Sequence, residues 1–311
     1  MAAMHAPSRA DIDAAQARIQ DVALRTPLVA SGERPVWLKL EALQPYGSYK
    51  IRGAVNAVRA RLEREPGIKA VVSASAGNFG QAIAAAARQF GLPCVIHVPD
   101  NAARVKVQSL RQLGAAVREH SFDGWWRIMQ TRETGDEGAF FHPVCEPEVI
   151  AGAATIGEEI LADLPEVQAV IAPIGGGGLA CGVATAIKLA RPGCRMVAVE
   201  CETAIPLKAA FEAGHPVAVE RRPSFIDGMG STRVLDQMWP LLSRLIDEVV
   251  VVSVAEIETA LRRLAREHHV VAEGAGAAAL AAAPRVADLK TVCIVSGGNI
   301  DPGELARIVQ G

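Results

Sequence analysis

The residue in this chain best suited to covalent chemistry is Lys50. It lies in Gln44-Pro45-Tyr46-Gly47-Ser48-Tyr49-Lys50-Ile51-Arg52-Gly53, among small, aromatic and glycine residues rather than polar ones. A primary amine enclosed in this way suits Schiff-base formation with a carbonyl. A surface lysine beside a tight turn would share this local sequence, so other stretches must decide. Gly175, Gly176, Gly177 and Gly178 follow the apolar run 167–173 and precede a helical pattern over 179–190. Strand, glycines and helix together form an anion seat, because backbone N–H groups point outward at a positive helix end. The spacing is neither G-x-G-x-x-G nor G-x-x-x-x-G-K-[ST], so a single phosphate fits better than a dinucleotide or a triphosphate. Ser75-Ala76-Gly77-Asn78 follows the short strand at Val71-Val72 in the same setting. Its hydroxyl, amide and helix N–H groups suit a small carboxylate; an ordinary N-cap at Ser75 is the alternative. Ser296-Gly297-Gly298-Asn299 closes the strand pattern 292–295.

The elements that must position these residues are short apolar strands alternating with helices of about 10–15 residues, the signature of βαβ units and parallel sheet. Helices are expected over 8–20, 53–63, 151–162 and 255–268, with another starting at Trp125 and Trp126 and an Ala-rich one starting at Glu273. The stretch 201–240 reads as irregular. In an open α/β sheet, ligands sit beyond the carboxyl ends of the strands. Turns for a phosphate, a carboxylate and a hydroxyl partner, with one enclosed amine, suit pyridoxal phosphate and an amino acid.

Bulk composition narrows the partner. The chain has 311 residues, 50% apolar and 21% charged, with a net charge of −2. That supports a large core and gives no basic footprint for nucleic acid and no polybasic arm for membranes. No apolar run reaches the ~18 residues needed to span a bilayer, and the first residues form no signal peptide. The six cysteines form no C-x-x-C pair. Zinc and dithiol readings are therefore weak, and a cytoplasmic location is expected.

The motifs at Lys50, Ser75-Ala76-Gly77-Asn78-Phe79-Gly80-Gln81, the four glycines and Ser296-Gly297-Gly298-Asn299, in that order, resemble the serine/threonine dehydratase and serine racemase family. These are fold type II pyridoxal-phosphate enzymes, and the resemblance covers nearly the whole chain. It implies two open, twisted, mainly parallel sheets flanked by helices. The large cofactor domain would span 1–65 and 146–311, with a small substrate domain, 66–145, inserted. It implies that Lys50 carries the Schiff base and removes the α-proton. Gly175, Gly176, Gly177, Gly178 and Leu179 would bind the cofactor phosphate, Asn78 the ring hydroxyl and Ser296 the pyridine nitrogen. Ser75, Ala76, Gly77, Asn78 and Phe79 would hold the substrate. The reaction implied is dehydration of a small β-hydroxy amino acid to a 2-oxo acid and ammonia, by a homodimer. β-Replacement, racemisation and non-catalytic amino-acid binding are the alternatives.

Departures from the family pattern shape the expectations. Ala76 stands where racemases carry a serine, and alanine has no proton to give. Phe79 replaces a usual histidine and Val144 a usual asparagine, while Trp125 and Trp126 lie near where hydroxyaspartate-active relatives place an arginine. A substrate with an apolar β-substituent, threonine or phenylserine, is expected. Glu200 and Ala204 match the family's divalent-cation site, but Pro206 replaces its aspartate, and losing a hard oxygen ligand weakens such a site. No metal is expected.

Overall fold

The computed structural model describes residues 3–32, 35–102, 104–286 and 288–311. In chain order the elements begin with α1 (Arg9–Ile19), β1 (Leu28–Ala30), β2 (Val36–Lys39), α2 (Lys50–Arg64), β3 (Val71–Ala74), α3 (Asn78–Gln89) and β4 (Cys94–Pro99). There follow α4 (Arg104–Gln112), β5 (Ala116–His120), α5 (Phe122–Thr131), β6 (Ala139–Phe141), α6 (Pro147–Asp163), β7 (Ala169–Pro173) and α7 (Gly178–Ala190). The chain continues through β8 (Arg195–Cys201), α8 (Pro206–Ala213), α9 (Trp239–Leu245), β9 (Glu248–Val252), α10 (Val254–Glu267), α11 (Gly274–Ala282), β10 (Thr291–Ile294) and α12 (Pro302–Gln310).

The strands form two sheets. One has six strands in the order β1-β2-β10-β7-β8-β9, parallel except for the edge pair β1–β2. The other has four parallel strands in the order β5-β4-β3-β6. β3, β7 and β10 are buried along their whole length, as parallel strands covered by helices on both faces must be. The exposed edge strand β5 instead carries Arg118, Glu119 and His120, and charge on an edge discourages further pairing.

Each sheet has one point where the strand order reverses. In the larger sheet it lies between β7 and β10, and in the smaller between β3 and β6. A crevice opens at such a point beyond the strand ends. The four glycines follow β7, Ser296 follows β10 and Ser75 follows β3. Topology alone therefore brings three of the chemically suggestive turns to the two crevices.

Several boundaries differ from the sequence expectation for local reasons. Helix α2 starts at Lys50 rather than at residue 53, because Pro45–Gly47 forms a separate tight turn with Tyr46 at φ 63° and Gly47 at φ 70°. Lys50 thus lies in the first helical turn. Helix α5 starts at Phe122, not at the tryptophans, because the Ser121 side chain accepts the Gly124 N–H and caps it. Helix α6 starts at Pro147, whose missing N–H is no loss at a helix start. Within the supposedly irregular 201–240, Pro206 likewise starts α8, and Gly214 at φ 76° ends it.

Helix α2 is pinned beneath the site. A Cβ on Gly152 of α6 would lie 2.6 Å from the Gly53 Cα, so the two helices cross backbone to backbone. Beside the crossing, Arg52 is 1% exposed and donates to both carboxylate oxygens of Glu41 at 2.8 Å and to Glu159 at 2.7 and 2.9 Å. Lys39, fully buried, donates to Glu159 and to the Thr26 carbonyl, both at 2.6 Å. Two cations and two carboxylates leave the cluster neutral. Removing one partner strands a buried charge, so Glu41→Ala should cost roughly 3–5 kcal/mol. Replacing Glu41 and Arg52 together by methionine should recover part of that, since the Lys39–Glu159 pair left behind is neutral. Urea unfolding measures both; a Glu41→Ala variant as stable as the wild type would contradict the prediction.

Candidate active site

A cavity of about 580 Å³ lies between the two sheets at their carboxyl edges. Its walls include Lys50, Ser75, Ala76, Gly77, Asn78, Phe79, Gly175, Gly176, Gly177, Gly178, Leu179 and Ser296, every site residue read from the sequence.

The Lys50 amine lies 3.4 Å from the Pro143 carbonyl oxygen and 5.0 and 5.8 Å from the ring centroids of Tyr49 and Phe79. Ring faces attract a cation, so the amine is held without a carboxylate that would tie it up. The Pro143 carbonyl is presented by a tight turn that His142 organises. Its Nδ1 accepts the N–H groups of Val144 at 3.0 Å and Cys145 at 2.8 Å. Burial, helped by Arg132, pushes His142 down to about 4, which keeps the ring neutral and Nδ1 free to accept.

The glycine turn is built for close approach. Gly177 caps α7 at φ 94°, a left-handed conformation open to glycine. A Cβ on Gly176 would meet Val144 at 2.3 Å, whereas one on Gly178 would meet nothing within 4 Å. The open direction at Gly178 and the uncapped N–H groups of α7 face the cavity as an anion seat. The turn after β3 is a second such seat. Gly77, not Ser75, caps α3, and no side chain caps its N–H groups. Ser75 accepts only a long 3.4 Å bond from the Gly77 N–H.

Asn78 is the most constrained polar residue in the cavity. Its Nδ2 donates to Glu273 Oε1 at 2.7 Å, and its Oδ1 accepts from Asn299 Nδ2 at 2.8 Å. Asn299 also donates to the Tyr46 carbonyl at 2.9 Å. From sequence, Glu273 is a helix start and Asn299 part of the Ser296 motif, and neither had a part in the site. The available signal was an acidic residue alone in Val271-Ala272-Glu273-Gly274-Ala275-Gly276, the same anomaly that singles out Lys50.

The far side of the cavity is aromatic. Phe122, Trp125 and Trp126 of α5 contact one another in series, with ring centroids 5.8 and 6.1 Å apart. At the mouth, Lys106 of α4 pairs with Asp227, which precedes α9, and so joins the smaller sheet's helices to the larger unit.

A family model for pyridoxal-phosphate dependent enzymes matches residues 19–297. The chain belongs to this family. It is 39% identical to an L-threonine ammonia-lyase of Thermotoga maritima, over 96% of this chain and 77% of the relative. Among solved structures, maize serine racemase superposes with a TM-score of 0.86 at 32% identity, covering 97% of each chain. A T.th. threonine deaminase superposes at 0.85 with 34% identity, covering 95% of this chain and 99% of that one. The two-sheet architecture is fold type II, as the sequence resemblance implied. The residues present fit the family cofactor: a primary amine and a bare glycine anion seat share one cavity, with a hydroxyl and an amide between them.

The residues matching the divalent-cation site do not fit a cation. Glu200 spends both carboxylate oxygens on backbone, accepting the N–H groups of Leu207 at 2.7 Å and Lys208 at 2.9 Å. It caps α8 from outside, and Pro206 occupies that helix's start. Among the described residues no cluster of three His, Cys, Asp or Glu side chains is placed to hold a metal. Burial pushes Glu200 up to about 7, against the pull of those two N–H bonds. A raised carboxyl favours folding below its unfolded pKa and loses that contribution as pH rises through the folded value. Glu200→Gln, which loses one N–H bond, should melt below the wild type at about pH 5, with the gap narrowing by about pH 8. Thermal melts at the two pH values check this, and a constant gap would contradict it. Magnesium or a chelator should shift neither melt.

Proposed function

We propose that this enzyme is an ammonia-lyase that dehydrates a β-hydroxy amino acid with an apolar β-substituent, threonine or phenylserine, to a 2-oxo acid and ammonia. The observation that carries the reading is the Lys50 amine facing the same cavity as two uncapped helix N-termini, one suited to a phosphate and one to a carboxylate. The ammonia-lyase and deaminase names of the relatives support the reaction class.

Pyridoxal phosphate, when bound, supplies a carbonyl for amines and an electron sink for charge developing at the α-carbon. The chain's residues do the rest. The N–H groups of the turn 175–178, with Leu179, hold the phosphate. Asn78 donates to the ring hydroxyl and Ser296 hydrogen-bonds the ring nitrogen. A hydroxyl there would stabilise a protonated ring less than a carboxylate would. Ser75, Ala76, Gly77, Asn78 and Phe79 hold the substrate carboxylate at the N-terminus of α3. Lys50 carries the cofactor and takes the proton from the substrate α-carbon.

Ala76 leaves no acid on the opposite face, so proton transfer is one-sided and racemisation is negligible. Phe79, Val144, Trp125 and Trp126 offer the β-substituent apolar surface and no counter-charge. The unit 66–145, which carries these aromatics, is the substrate domain. The residues 1–65 and 146–311 form the cofactor domain.

Three assays test the proposal. Lys50→Ala should lose at least about 10²–10⁴-fold in kcat together with the visible absorbance of the bound cofactor. Threonine or phenylserine should exceed hydroxyaspartate in kcat/KM by about tenfold or more, because the apolar wall of Phe79, Val144, Trp125 and Trp126 offers a carboxylate no hydrogen-bond donor suited to it. Faster turnover of hydroxyaspartate would overturn the substrate assignment. D-Serine formed as fast as pyruvate would overturn the one-sided proton transfer.

A further inference from the structure

Glu273 is buried, lines the cavity and caps α11 without a side-chain bond to that helix. Its hydrogen-bond donor is neutral, the Asn78 amide. A carboxyl buried with so little compensation is costly, and an apolar residue there would favour the fold. The backbone around it is nonetheless kept bare. A Cβ on Gly297 would lie 2.6 Å from Glu273 Oε1, and one on Gly228 3.2 Å from it. A Cβ on Gly47 would lie 2.4 Å from the Asn299 Oδ1.

The polarity of the chain of bonds is fixed from its far end. The Tyr46 carbonyl can only accept, so Asn299 turns its Nδ2 toward it and toward Asn78 Oδ1. Asn78 must then present Nδ2 to Glu273. One Nδ2 hydrogen is used there; the second is left for a ligand in the cavity.

We propose that Glu273 is a positioning residue for the cofactor: with Asn299 it locks the Asn78 amide in the one orientation that offers a donor to the cavity. The proposal rests on the reading that the cofactor's ring hydroxyl is what Asn78 meets. Asn299 holds the Oδ1 end of Asn78, and an acceptor oxygen at residue 273 holds its Nδ2 end. The charged groups facing Glu273 are Asp227 from the loop before α9, Lys106 of α4 and Lys50 of α2. Burial first, and then Asp227, push the carboxyl up to about 7, against Asn78 and the two lysines.

The test uses the full chain, stripped of cofactor and titrated with pyridoxal phosphate. Glu273→Ala should raise the dissociation constant about tenfold or more, having freed the amide. Glu273→Gln, whose carbonyl accepts the same Nδ2, should stay within about threefold. The visible band of the wild-type complex should shift between about pH 6 and 8, and that of Glu273→Gln should stay fixed, because the titrating charge is gone. Without cofactor, Glu273→Gln should melt no lower than the wild type at about pH 8, a result that a purely structural role would not give. Where Glu273→Ala fails to fold, Asn299→Ala, which frees the other end of the amide, should weaken binding in its place. Unchanged affinity in Asn299→Ala, with a Glu273→Gln band that titrates like the wild type, would overturn the proposal. A wild-type chain that binds no pyridoxal phosphate would instead overturn the cofactor reading of the cavity, so the two failures are distinguishable.

Discussion

The arrangement of this molecule depends on how α2 is held. Its first turn carries Lys50, and its next residues bury a guanidinium between two carboxylates and press a glycine against α6. An arginine fork offers five donors in a fixed plane, so Glu41 and Glu159 fix the rotation of α2 about its own axis. The crossing of Gly53 with Gly152 fixes its depth. A lysine side chain is flexible, and its amine is placed only as well as its Cα and its surroundings are placed. The Tyr49 and Phe79 rings and the Pro143 carbonyl supply the surroundings, and the buried cluster supplies the Cα.

The same logic explains why so much of the site is backbone. A phosphate and a carboxylate are bound most economically by N–H groups that the helices leave unpaired in any case. The sheets deliver those helix ends to one place because both strand-order reversals open toward the same cavity. Side chains are then needed where a specific atom must be met, and there they come in mutually constrained sets: His142 with its turn, and Asn78 with Glu273 and Asn299. Glu200 shows the complementary case. Where a matching carboxylate is no longer supported by its aspartate neighbour, it turns to a helix N-terminus, and the helix supplies the positive end that a cation would have supplied.

The sequence made legible those features that local order encodes. The enclosed lysine, the glycine run and the strand–turn–helix rhythm are short-range patterns, and they led to the fold and to the lining of the cavity. Helix starts were read less well, because they depend on single caps: Ser121 before the tryptophans, Pro147 and Pro206 at first turns, and the left-handed pair Tyr46 and Gly47 before Lys50. What stayed hidden was pairing across distance. Asn78 and Glu273 are 195 residues apart, and Asn78 and Asn299 are 221 apart. No periodicity links them; only the fold of both sheets brings them into contact. The Ser75 hydroxyl lines the cavity, and its freedom follows from a detail only geometry gives, that the helix cap passes to Gly77.

The cavity is chemically lopsided, and that division has a consequence for how specificity is set. On the side of the larger sheet it offers bare backbone, a hydroxyl, an amine and a buried carboxyl. On the side of the smaller sheet, beyond the N-terminus of α3, it offers Phe79, Phe122, Trp125 and Trp126, with Lys106 the charged residue there. The glycine turn before α7 and Ser296 after β10 stand on the six-stranded sheet, while α2, which carries Lys50, packs both on α6 and into the core of the smaller sheet. Most of the aromatic wall sits on α5, a ten-residue helix whose Phe122 is half exposed. A change on α5 therefore disturbs little of the core, whereas a change at Arg52, Gly176 or Glu273 meets packed neighbours at once. Discrimination between β-substituents can drift on one face of the cavity while the chemistry on the other stays fixed, and Val144, packed against Gly176 from the loop between the two units, marks the seam where the two demands meet.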